Sequence, residues 1–213
     1  MRTDDLIALL ATETSKVDAH LLARRLTIAL LVGAVGAALL TSVLFGIRPD
    51  LCIVAHTLIF WVKVAFPTFL GIGALWFTAK LSRPGVEPGV TWYLLALPIL
   101  LIWLGGAIAL VKAPVGGQMP LLLGNSWRVC PLNIALLSIP SFIANFWALK
   151  AMCPTRFRLA GGGAGLLSGA IATLAYCLHC PEMGIPFWGI WYLSGMLIPA
   201  LIGAVLGPRL LRW

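Results

Sequence analysis

The run LAGGGAGLLSGAIATLAYCL, Leu159 to Leu178, carries no charge, and it is long enough to cross the hydrocarbon core of a bilayer as one helix. Gly161, Gly165, Gly169 and Thr173 put a small residue at every fourth position, which lines one helical face and suits close contact with another helix. The run leads directly into Tyr176-Cys177-Leu178-His179-Cys180-Pro181-Glu182, where two thiols, an imidazole and a carboxylate meet in otherwise apolar sequence. Working outward, the whole chain has the same character: 61% of its residues are hydrophobic, 10% are charged and its mean hydropathy is +1.00, which excludes a soluble domain.

Six apolar segments can be delimited, at about 26–47, 58–79, 91–111, 131–149, 159–178 and 187–206. The fold class expected is therefore an all-α membrane protein, a six-transmembrane-helix bundle over 26–213 preceded by an N-terminal segment, 1–25. Ala29, Gly33, Ala37 and Thr41 in the first segment, and Gly195, Pro199, Gly203 and Gly207 in the sixth, predict further packing faces. Pro67, Pro98, Pro140 and Pro199 predict kinks.

The net charge of +8 invites a nucleic-acid reading, but the basic residues stand singly or in pairs at the ends of apolar segments instead of forming one face. They describe a topology. With a cytoplasmic N-terminus, Arg2, Lys16, Arg24, Arg25, Lys80, Arg83, Lys150, Arg156, Arg158, Arg209 and Arg212 share the cytoplasmic side, and Arg48, Lys63, Lys112 and Arg128 fall on or near the other. Both termini are then cytoplasmic. Lys63, about one turn inside its segment, is expected to snorkel outward. No direct nucleic-acid contact is expected, and the first 25 residues lack the features of a cleaved signal peptide.

Those first residues read as an amphipathic helix: Thr3 as its N-cap, Asp4 and Asp5 at the positive end of its dipole, and Leu6, Ile7 and Leu10 on its apolar face. Such a helix lies on lipid headgroups or docks a soluble protein. Its acidic start fits an anionic bilayer surface poorly, which favours a protein partner.

The topology places Cys130, Cys177, His179 and Cys180 on the non-cytoplasmic side, with Cys52 and His56 in the first outer loop and Cys153 on the opposite side. Cys130-Pro131 predicts an N-capping cysteine, since proline favours the first helical position. Two readings stay open here. Cys130 and Cys180 form a disulfide, or Cys130, Cys180 and His179 ligate a soft metal, with Cys177, Cys52, His56 or water as auxiliary ligands. The span interiors contain no Asp, Glu or His for proton relay, and there is no P-loop, HExxH, GxSxG or dinucleotide fingerprint, so most enzyme classes and proton-coupled transport are unsupported.

Four segments in this order, Thr3-Asp4-Asp5-Leu6-Ile7, Trp127-Arg128-Val129-Cys130, Leu178-His179-Cys180-Pro181-Glu182 and Gly207-Pro208-Arg209-Leu210-Leu211-Arg212-Trp213, resemble the NrsF-like negative regulators of sigma factor F. The resemblance covers essentially the whole chain. It implies a bacterial inner-membrane anti-sigma factor, not an enzyme, that holds an extracytoplasmic-function sigma factor at the lipid bilayer and releases it under heavy-metal or oxidative stress. By position it implies Cys130 and Cys180 as the sensor cysteines, Thr3 to Ile7 as partner-binding, and no permanent cofactor beyond a transient heavy-metal ion at the cysteines. The rival readings are a quinone-linked membrane thiol-disulfide oxidoreductase exchanging through Cys177 and Cys180, and a metal transporter.

Overall fold

A computed structural model describes Thr3 and residues 20–83, 85–152 and 154–212. Within them the chain forms α1 (Leu21–Phe45), α2 (Leu51–Val54), α3 (Leu58–Leu81), α4 (Thr91–Lys112), α5 (Gln118–Leu123), α6 (Cys130–Leu137), α7 (Ile139–Lys150), α8 (Phe157–Tyr176) and α9 (Ile185–Leu210), with no strand among the described residues. Five of these, α1, α3, α4, α8 and α9, are long and apolar enough to cross a membrane. The pair α6 and α7 makes a sixth candidate if counted as one bent span. Their bounds lie within a few residues of the predicted segments, except that α1 begins five residues early and α9 ends four residues late. Thr3 is helical and exposed. Asp4, Asp5, Leu6, Ile7 and Leu10 lie outside the described residues.

The most buried of the candidate spans is α8, with 72% of its apolar window inside the protein against 17% for α4. It is the central helix, and its small residues explain how. A Cβ at Gly161 would run into the Gly203 carbonyl, one at Gly165 into the Pro199 carbonyl, and one at Gly169 would come within 2.8 Å of the Met196 Cα. Backbones of α8 and α9 therefore touch along a seam that no larger residue permits. The face predicted for α1 is likewise buried through Leu26, Ala29, Gly33, Ala37 and Thr41, and it packs on α7, with Gly33 against Ser141.

Pro140 falls at the start of α7, where the sixth candidate span bends by 44°, as its sequence predicts. Pro67, Pro98 and Pro199 lie within continuous helices. Large apolar side chains on the outside of the bundle, among them Leu31, Val35, Phe69, Trp76, Leu101 and Leu201, are exposed, as an apolar surrounding would require.

Successive candidate spans reverse direction, with α6 and α7 taken as one, so the loops collect at two ends. At one end Gly85 N donates to Thr155 Oγ1 and Arg156 pairs with Glu87 at 2.7 Å, tying the α3–α4 loop to the α7–α8 loop. At the other end the C-terminus of α1, the start of α3, the start of α6, the end of α8 and the start of α9 converge. The cysteines stand there.

Candidate functional site

The segment 177–184 between α8 and α9 is the hub of this convergence. α8 ends at Tyr176, and Cys177 to Cys180 continue as a turn: His179 N and Cys180 N both donate to Tyr176 O, at 3.0 Å each. Pro181, which has no N–H to extend the helix, closes the turn. Cys130, Cys177 and Cys180 are fully buried, and all of the described cysteines are free thiols. Cys130 is the first residue of α6 and Val129 occupies the cap position, so the proline is the second helical residue and the expected capping cysteine is displaced by one.

Two tyrosines enclose the thiols. The Tyr176 hydroxyl accepts from Asn133 Nδ2 at 3.5 Å, and its ring packs in the same buried core as Cys130. Tyr192, fully buried, sits beside Cys177 and Cys180, and its hydroxyl makes no well-formed hydrogen bond. A π turn at Trp188–Tyr192 near the start of α9 sets this side chain. Such a bulge shifts the register of the side chains that follow it.

Lys63 overturns its expected role. It does not snorkel outward: it is fully buried, and its ammonium donates to the Cys180 carbonyl at 2.6 Å and the Glu182 carbonyl at 3.0 Å. Nζ also lies 5.7 Å from the centre of the Tyr192 ring. An outward path would have to leave these acceptors, and the bundle closes around the side chain instead.

Arg48 approaches the same turn from the end of α1. Its N–H donates to Leu178 O at 3.1 Å and its Nη1 to Cys180 O at 3.4 Å, while Nε and Nη2 grip Asp50 at 2.7 and 2.6 Å. This grip holds the exposed Asp50 carboxyl below the usual carboxylate range, the hydrogen bonds from Arg48 being the main cause. Glu182 connects the turn to the loop before Cys130: its Oε1 accepts from Asn125 N at 2.8 Å. Gly124, at φ 54°, makes room for this carboxylate, since a Cβ there would sit 2.6 Å from Oε2.

The other predicted residues are placed apart. His179 is half-buried against Phe45 and Tyr176, at ring distances of 5.4 and 5.8 Å, with Nδ1 3.1 Å from the Gly46 carbonyl. Cys52 and His56 are exposed, one turn apart as expected, with His56 Nδ1 2.7 Å from Cys52 O. Among the described residues no group of three or more His, Cys, Asp or Glu side chains is arranged to hold a metal ion. Sequence reasoning missed Lys63, Arg48, Asn125 and the two tyrosines. A signal existed for Lys63, because an ionisable residue inside an apolar span is a functional candidate by default.

A family model described as a negative regulator of sigma F matches residues 10–213. The chain is 46% identical to a "Probable anti-sigma-F factor NrsF" of Azospira oryzae and 37% identical to an "Anti-sigma-F factor NrsF" of Caulobacter vibrioides, each alignment covering the whole of both chains. No solved structure matches.

Proposed function

The chain belongs to the family of negative regulators of sigma F, and from that premise we propose that it is a multi-pass protein of the bacterial inner membrane that sequesters an extracytoplasmic-function sigma factor on its cytoplasmic side. It acts by binding and release, without catalytic turnover and without a permanent cofactor. Heavy metal or oxidant reacting at Cys130 and Cys180 on the outer side triggers the release, a transient metal ion bridging the two thiols in the first case. The N-terminal residues 3–10 dock the partner, together with the loops at the end of the bundle that carries Lys80, Arg83, Lys150, Arg156 and Arg158.

One observation carries this reading. Cys130 and Cys180, far apart in sequence, are both fully buried in a single cluster at the end of the bundle opposite to the Arg156–Glu87 loops. Opposite ends of one bundle are what an outside-to-inside switch requires. A bond or a bridging metal between the two cysteines draws the start of α6 toward the end of α8, and α8 in turn meets α9 along a seam with no slack. Small shifts then pass through the seam as whole-helix displacement. Moving the partner from about 1:99 to 99:1 between bound and free needs a differential affinity of about 5.5 kcal/mol.

The test is replacement of Cys130 and Cys180 by serine in cells, followed by co-purification of the sigma factor before and after cadmium or oxidant stress. The expected result is a complex that survives stress. Ordinary stress-induced release from the double variant would sink the sensor role, and failure of any sigma factor to co-purify with the unaltered chain would sink the regulator itself.

A further inference from the structure

Lys63 is a buried cation whose hydrogen bonds do not explain it. A charge this deep in an apolar span is costly. Both of its acceptors have another donor in place: Arg48 Nη1 on the Cys180 carbonyl at 3.4 Å, and Trp188 Nε1 on the Glu182 carbonyl at 3.1 Å. An apolar side chain at position 63 would therefore leave neither carbonyl orphaned. Nor does Lys63 have a carboxylate: the ion pairs among the described residues are Arg48–Asp50 and Arg156–Glu87, and the Glu182 carboxylate turns away to Asn125 N. What faces the ammonium is the Tyr192 ring and the backbone of Cys180 itself, in the core that also encloses Cys177 and Cys130.

We propose that Lys63 is a positioning residue of the thiol cluster, supplying a fixed positive charge against which negative charge develops on sulfur when the cysteines react. This deepens the sensor reading given above and rests on it for its biological meaning. The chemistry itself is independent of any sigma factor. When a thiol attacks a disulfide reagent, its sulfur sheds the proton and carries negative charge into the transition state. A preorganised cation in a water-poor site stabilises that charge without having to reorient. The cost of burying Lys63 is then the cost of keeping the cluster reactive.

The experiment uses the full chain in lipid nanodiscs, with Cys52 and Cys153 replaced by serine so that only the buried thiols report, and dithiodipyridine as oxidant. One protein thiol attacks the reagent's S–S bond and releases a first thiopyridone, which takes up the thiol proton. A second protein thiol then displaces the other thiopyridone, leaving a protein disulfide and two reduced thiopyridones. Absorbance gives the rate. K63M is expected to slow thiopyridone release about tenfold, the effect of losing one nearby opposite charge, with an unchanged or raised thermal midpoint, and K63R is expected to recover part of the rate. An unchanged rate in K63M overturns the proposal. So does a slowed rate accompanied by a lowered midpoint and not recovered by K63R, because that marks a merely structural lysine. Since no sigma factor is present, failure here is distinct from failure of the sensor reading.

Discussion

The seam between α8 and α9 and the thiol cluster at its end are both completely buried, yet they are built on opposite principles. Along the seam, Gly161, Gly165 and Gly169 meet Gly203, Pro199 and Met196 backbone to backbone, with nothing ionisable between them. At the cluster, a few ångströms beyond the end of α8, the bundle encloses three thiols, two phenols and an ammonium. The seam contributes stability through contact. The cluster holds groups that a purely structural core would exclude, since an apolar filling of the same volume is often as stable or more so. Buried chemistry beside a tightly packed helix pair has somewhere to send its displacement.

The sharpest way to break the comparison is to widen the seam. Gly165→Leu forces a side chain into the Pro199 carbonyl, and the two backbones cannot part without opening the core, so a loss of about 3 kcal/mol is expected. Thermal unfolding in detergent measures it, and a variant that unfolds like the parent would show that the seam is looser than it looks. Cluster substitutions should cost far less. Glu182→Ala removes the acceptor of Asn125 N, and because the carboxylate is partly exposed, water replaces much of the bond; about 1 kcal/mol is expected. The same variant should also make Cys130 more accessible to maleimide, since the loop before α6 loses its tether.

Tyr176→Phe deletes the hydroxyl that accepts from Asn133 beside the buried thiols, for a cost of about 1 kcal/mol or less. Its interest lies in the difference between readouts, because stability should barely move while Cys130 alkylation changes. The smallest effect expected is with pH. Arg48 holds the folded-state pKa of Asp50 below its unfolded value, so the pair's contribution is fully present above the unfolded pKa of about 4 and is lost as pH falls through the lower, folded one. The thermal midpoints of the parent and Asp50→Asn should therefore differ slightly near neutrality and converge in acid. A difference that persists below that range would assign the effect to something other than the carboxylate.

The seam was legible because its signal is local and periodic. Small residues spaced by four can only be on one side of a helix, and a helix with such a side in an apolar protein has few uses for it beyond close packing. The bend before Pro140 was legible for the same kind of reason. The cluster was half legible. Cys130 and Cys180 can be assigned to one end of the bundle by counting spans, and the structure does bring them there. What counting cannot supply is which side chains from other spans fill the space around them.

Thus the amino-acid sequence by itself determined the helical class, the segment boundaries to within a few residues, and the packing faces of α1, α8 and α9, all of which depend on residues close together in the chain. Only the tertiary structure decided that Lys63 turns inward to the Cys180 and Glu182 carbonyls, that Arg48 shares the first of them, and that Tyr192 stands beside the thiols. The Lys63 and Arg48 contacts join residues more than 100 positions apart. A long flexible side chain at a span end has an outward and an inward rotamer of similar intrinsic energy, and the choice is made by the acceptors that other helices bring to it.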